Sequence, residues 1–320
     1  MTLRVVFAGT PDFSCNCLDG LLQMDGVEVV GVVSQPDRRS GRGMKLTPSP
    51  VKRTALAAGI DVITPERLRG DDAALSWLRS RQPDLLVVVA FGMILPDSWL
   101  EAATVAPINV HASLLPRWRG AAPIERALLA GDTETGVCLM QMESGLDTGP
   151  VYATRRVVIG MRCGGDLWQE LAQMGASLLV EQLATIAGGS CIPRPQEHSQ
   201  TCYASKLARG ERIIDWRQPA EIVARLVRCF APKPGARSRV TGGAMAGKWL
   251  KILSGEVVSA SHPWLQPGAS ALVDGQMFIG CGEDSCYRPL QLQPEGKQAM
   301  DADALVRGLR GEAIGLAPCG

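Results

Sequence analysis

Through the first 190 residues, short apolar runs alternate with stretches in which apolar side chains recur every three or four positions. Residues 3–8 and 27–33 are apolar runs separated by a Gly-Thr-Pro-Asp turn at 9–12 and an amphipathic stretch, which predicts strand, turn, helix, strand. Such a unit opens a doubly wound parallel sheet. Asp12 is expected to cap the helix, and the missing G-x-G-x-x-G argues against a dinucleotide site. Helices are expected at 50–58, 71–80, 122–130 and 166–186, with strands at 61–64, 108–111, 136–142 and 151–159. Residues 84–90, DLLVVVA, are apolar without alternation, as in a central strand covered on both faces. They end in a loop at 91–96 whose residues Phe91 to Leu95 fit two roles equally, walling a flat ring or packing in the core.

The texture changes at 187–204, AGGSCIPRPQEHSQTCYA, which is polar, rich in Gly and Pro, and has no period. It reads as a linker. Beyond it a helix at 219–230 precedes many short apolar segments cut by Gly and Pro, at 249–253, 257–260, 271–273, 276–280 and 290–292. Short strands with frequent turns suggest a small β-barrel. The expected division is a first domain over 1–188, a linker over 189–206 and a second domain over 207–320.

Composition narrows the class. With 46% hydrophobic and 20% charged residues the chain reads as a soluble globular protein, and no apolar run approaches the ~20 residues of a membrane span. An apolar strand begins directly after the first residues, so no targeting segment is expected and cytoplasm is the default. The 10 cysteines are scattered without C-x-x-C, which favours buried or free thiols over disulfides or zinc. A net charge of +1 excludes a chain that meets nucleic acid through bulk charge. Residues 34–52, SQPDRRSGRGMKLTPSPVK, nevertheless form a long loop in which Arg38, Arg39, Arg42, Lys45 and Lys52 outweigh Asp37. Such a run is more often a solvated face than a phosphate contact.

The densest chemistry lies at 108–120, INVHASLLPRWRG. Strand periodicity puts Asn109 and His111 on one face, an amide beside an imidazole. Of the 3 histidines, His198 falls in the linker and His262 in a Pro-flanked turn, leaving His111 the well-placed proton carrier near neutral pH. A buried histidine is commonly only a packed one, and Asp147 alone would read as a turn residue. Ser113 lacks a G-x-S-x-G elbow, so a nucleophilic serine is not expected.

N-x-H followed by SLLP and RWRG, with Leu146-Asp147-Thr148-Gly149 downstream, resembles the signature of folate-dependent formyltransferases. The match extends from Ala8-Gly9-Thr10-Pro11-Asp12-Phe13 to Leu292-Gln293-Pro294-Glu295-Gly296-Lys297. The resemblance implies a Rossmann-like doubly wound α/β domain followed by a smaller OB-like β-barrel. It implies formyl transfer from 10-formyltetrahydrofolate to the free amine of initiator methionyl-tRNA, without a metal. Asn109, His111 and Asp147 would then be catalytic, and Ser113, Leu114, Leu115 and Pro116 would contact the folate. The D-R-x-x-G-R-G-x-K pattern is similar to the family's inserted loop, and carries Arg42 over as a tRNA contact. Formyltransferases acting on small amines share the three residues, but need neither a basic loop nor a trailing barrel. A non-catalytic RNA-binding protein and a dinucleotide oxidoreductase are the remaining alternatives.

Overall fold

The computed structural model describes residues 2–41, 43–258, 265–309 and 314–317. Arg42, His262 and the end of the strand expected at 257–260 lie outside them. Contacts divide the chain into two compact units. Unit 1 comprises 1–123, 134–158 and 168–205, and unit 2 comprises 124–133, 159–167 and 206–320.

From the N-terminus run β1 (Leu3–Gly9), α1 (Asp12–Leu22), β2 (Val27–Val33), β3 (Arg38–Ser40), β4 (Lys45–Thr47), α2 (Pro50–Ala57) and β5 (Val62–Ile63). Next come α3 (Asp72–Ser80), β6 (Leu85–Val89), α4 (Asp97–Leu100), β7 (Ala106–His111), β8 (Arg119–Gly120) and α5 (Pro123–Ala130). Then follow β9 (Glu134–Gln141), β10 (Val151–Val158), α6 (Gly164–Ala187) and β11 (Tyr203–Ala204). Seven strands form one sheet in the order β10-β9-β7-β6-β1-β2-β5. Its β5, β2, β1, β6 and β7 are parallel, as expected of a doubly wound fold. Strands β9 and β10 are antiparallel to their neighbours, so the sheet is mixed where a parallel one was expected. An apolar run marks a strand but carries no direction. The reversal matters, because β9 ends at Gln141 beside Ile108 and delivers the following turn alongside β7.

Val6, Ala8, Leu86 and Val88 pack with Leu78 of α3 and Trp99 of α4 on one face. Each fully buried Val or Leu side chain among them contributes roughly 1.5–3 kcal/mol. On the other face Phe13 of α1 meets Trp168 of α6 edge-on at 5.4 Å. A Cβ on Gly175 of α6 would stand 2.9 Å from Val110, so the helix lies close against that residue. By alternation, Asn109 and His111 turn away from α6.

Several expectations change in detail. Asp12 sits in the first turn of α1 with Pro11 at the N-cap, and makes no cap hydrogen bond. The carboxylate still favours the positive end of the helix. Within the expected loop 34–52, β3 and β4 pair as an antiparallel hairpin, and α2 begins where Ser49 Oγ accepts from Lys52 N at 3.0 Å. That cap is worth about 1 kcal/mol. The hairpin's strands, Arg-Arg-Ser and Lys-Leu-Thr, are too short and polar to show a period. The expected linker is also structured: Arg194 bridges Val151, and β11 pairs in parallel with β8.

Unit 2 contains α7 (Ala220–Phe230), β12 (Ala236–Arg239), β13 (Trp249–Val258), β14 (Ser270–Val273), β15 (Gln276–Gly280), β16 (Cys286–Pro294), β17 (Met300–Asp301) and α8 (Ala302–Gly308). Its antiparallel order is β12-β13-β16-β15-β14, with β17 on β16. The two outer strands are closed through the chain near its end, where Leu316 bridges Val240 and Gly315 bridges Ala269. The smaller β domain is thus a barrel. The segment expected at 249–253 and the described part, 257–258, of that expected at 257–260 belong to the single strand β13, irregular between Ile252 and Gly255. Gly255 is required there, since a Cβ would stand 2.5 Å from the Tyr287 ring. Trp216, fully buried, donates from Nε1 to Ser238 Oγ at 3.0 Å, which donates to Ala317 O at 3.1 Å.

Among the described residues no helix is long and apolar enough to cross a membrane, and no three His, Cys, Asp or Glu side chains gather as metal ligands. The nine described cysteines are free.

Candidate active site

Strand β7 and the turn after β9 bring Asn109, His111 and Asp147 together. Asn109 Nδ2 donates to Asp147 Oδ1 at 3.4 Å, and His111 Nε2 stands 3.2 Å from Asp147 Oδ2. Asn109 and His111 are buried, at 9% and 5% exposure. The backbone holds Asp147 firmly: its φ is +52°, in the left-handed region, and Gly120 N donates to Oδ2 at 2.8 Å. Gly149 two residues on permits the close return of the turn, since a Cβ there would fall 1.9 Å from Gln141 O.

Ser113 settles which imidazole nitrogen carries the proton. Its Oγ is fully buried, 2.6 Å from Arg117 O and 3.0 Å from His111 Nδ1. A carbonyl oxygen only accepts, so the single hydroxyl proton goes to Arg117 and Nδ1–H donates to Ser113. In the neutral ring Nε2 then carries the lone pair. Although close to Asp147, buried Nε2 has no aligned hydrogen-bond partner. In the neutral ring that nitrogen is available to take a proton, and the contact with Asp147 turns attractive once it has one. Burial pushes the Asp147 carboxyl up. Contact with His111 in its protonated form, then Gly120 N–H and the Arg119 charge, more than offset this and hold it below the usual carboxylate range.

Leu114, Leu115 and Pro116 line a cleft of about 600 Å³ together with Arg117, Glu134, Thr154, Arg155, Arg156 and Gln200. Ser113 does not line it, because its side chain is engaged beneath the imidazole. Phe91 and Leu95 are buried in the core at 2% and 8% exposure, so packing is the reading that holds for these two. Ile94, in contrast, is 88% exposed. Thr10 Oγ1 and Gln35 Nε2 both donate to Phe91 O at 2.9 Å, fixing the loop across the carboxyl ends of β1, β2 and β6. Arg38 at the base of the hairpin donates to Gln35 Oε1.

Two buried residues escaped the sequence reading, Arg119 and Gln196, at 2% and 8% exposure. Gln196 Nε2 donates to Asp147 O at 2.9 Å and Gly149 O at 2.7 Å. Its Oε1 accepts from Arg119 Nε at 3.1 Å and Nη2 at 2.7 Å. Arg119 stood in the RWRG motif without an assigned role, and no periodicity marks Gln196.

An amide, an imidazole and a carboxylate meet at the carboxyl end of β7, and the comparisons place the chain among formyl transferases. Residues 3–183 match the formyl transferase family and 206–310 match the family's C-terminal domain. Over 94% of its length the chain is 48% identical to methionyl-tRNA formyltransferase of Xanthomonas campestris, covering 95% of that protein. It is 46% identical over 96% of its length to the methionyl-tRNA formyltransferase of Symbiobacterium thermophilum, covering 92% of that protein. This chain therefore belongs to the methionyl-tRNA formyltransferase family. Solved structures share the fold at lower identity. An N-formyltransferase from Helicobacter canadensis, in complex with folinic acid and dTDP-3-aminofucose, superposes with a TM-score of 0.66 at 16% identity, over 92% of this chain and 100% of that one. HypX from Aquifex aeolicus, in complex with tetrahydrofolic acid, gives 0.59 at 18% identity over 96% of this chain. The chain spans about half the length of HypX, 47%.

Proposed function

We propose that this formyltransferase carries the formyl group of 10-formyltetrahydrofolate to the amino group of initiator methionyl-tRNA through Asn109, His111 and Asp147. The observation that supports these roles is the meeting of all three side chains at one carboxylate, with His111 Nε2 left unaligned. Bound 10-formyltetrahydrofolate supplies the formyl carbon as electrophile. Asn109, which donates without titrating, stabilises the oxygen on which negative charge gathers; losing one such donor typically costs ~3 kcal/mol. His111 Nε2 accepts the proton that the attacking amine must lose and returns it to the folate nitrogen as the bond from that nitrogen to the formyl carbon breaks and tetrahydrofolate leaves, while Ser113 keeps Nδ1 protonated. Asp147 stabilises the resulting imidazolium. The chain's residues fit the folate through the unaligned nitrogen beside Asn109 and the cleft lined by Leu114, Leu115 and Pro116. In this reading Ser113 belongs to the folate segment 113–116 but acts through the imidazole.

The fold's division of labour follows: a catalytic domain over 1–188, the stretch 189–206, and a barrel over 207–320. Arg42, which falls between β3 and β4 in the sequence, contacts the tRNA acceptor stem, and the enzyme works as a cytoplasmic monomer. The test is formylation with 10-formyltetrahydrofolate. Single changes of Asn109, His111 or Asp147 to Ala should lower kcat on the order of 10²–10³-fold with the fold intact by circular dichroism. Near-normal turnover in any of them would remove that residue from the mechanism. Arg42→Glu should raise KM for methionyl-tRNA and leave folate binding alone. Equal activity on a free amino sugar would overturn the tRNA assignment.

A further inference from the structure

We propose that Gln196, held by Arg119, is the positioning residue for Asp147, and that this buried pair sets where the carboxylate stands beneath His111. The inference rests on the catalytic reading of Asp147. A non-glycine residue in the left-handed region keeps that conformation only where its surroundings impose it. At Asp147, φ +52°, the surroundings are specific. Both amide hydrogens of Gln196 are spent on the turn, one on Asp147 O and one on Gly149 O, so its carbonyls are held from one point on either side of Thr148.

The orientation of that amide is not arbitrary. Arg119 can only donate, so the atom receiving its Nε and Nη2 has to be oxygen, and the nitrogen is thereby forced toward the turn. Arg119 also acts from its own backbone neighbour, because Gly120 N donates to Asp147 Oδ2. Main chain and carboxylate of one residue are thus gripped from two sides. Both grips are tied to each other: β8, which holds Arg119 and Gly120, pairs with β11, a few residues beyond Gln196. A Cβ on Gly120, at φ +118°, would lie 2.8 Å from Ala204 O, so only glycine allows this pairing. The guanidinium, at 2% exposure, adds positive charge near the carboxylate without touching it.

Gln196→Glu tests the assignment. It keeps the size of the side chain and the pairing with Arg119, but places an acceptor against two carbonyl oxygens. The expected result is a kcat lower on the order of 10- to 100-fold, as for a small misplacement of a catalytic group. KM for both substrates should stay within about twofold, and the loss of kcat should persist at temperatures well below the variant's own Tm. The second arm is a cycle with Asp147→Asn, in which Gln196→Glu should add no further loss once the carboxylate is gone. Wild-type kcat in Gln196→Glu overturns the proposal, as does an equal loss in the Asp147→Asn background. Should Gln196→Glu fail to fold, Gln196→Asn, which keeps both groups on a shorter arm, is read the same way. If Asp147→Asn alone retains full turnover, it is the catalytic reading of Asp147 that fails, a result distinct from either outcome above.

Discussion

At the scale of single residues, the site is governed by where protons can sit. Ser113 has one proton and two acceptor neighbours, and that arithmetic orients His111. Asp147 has its folded-state value depressed relative to the unfolded chain, so folding favours its ionised form. Its stabilising contribution is therefore complete above the ordinary carboxylate value of about 3.9 and drains away as pH falls through the lower, folded value. Urea unfolding of wild type and Asp147→Asn should accordingly show a stability gap at pH 7 that closes below about pH 4. A gap that instead opened in acid would contradict the depressed value. That Asn109 and His111 share one face was legible from period two, because a strand puts alternate residues on one side; a role for them came only with the resemblance. Asp147 lies in an aperiodic turn and was legible only through the L-D-T-G resemblance. Gln196 was hidden, since an amide in a polar stretch looks like any solvated residue until its partners are known.

Elements add what spacing along the chain conceals. The opening strand, helix and strand, and the buried β6, follow directly from apolar runs. Strand direction does not, and the antiparallel β9 is what brings the 142–150 turn to β7. Glycines are where the turn is most sensitive. Gly149→Ala would press a methyl into Gln141 O, and overpacking of this kind typically costs 1–3 kcal/mol. We expect a lower urea midpoint together with weaker formylation, because the displaced backbone carries Asp147. A variant with unchanged midpoint and activity would mean that the turn relaxes without strain. The hairpin of β3 and β4 shows the limit of periodicity: six strand residues with no apolar face resemble a loop in sequence.

At the scale of the whole molecule, the frequency of Gly and Pro after residue 206 suggested a barrel of short strands; β13 and β16 run to 10 and 9 residues, and the segment that closes the sheet carried no mark of its own. Residues 314–317 are too few to carry a pattern, but they join β14 to the chain after β12. Ending the chain after Leu309 should leave both outer strands with unpaired backbone, lowering Tm and promoting association, as open sheet edges do. Calorimetry and light scattering would show both; an unchanged transition with unchanged scattering would mean that the bridges contribute nothing. The stretch from Arg194 to Ala204 carries a practical lesson for anyone re-engineering the protein. What looks like a tether is stitched to β8 and to the turn that carries Asp147, so slack added just before Gln196 would unsettle that turn.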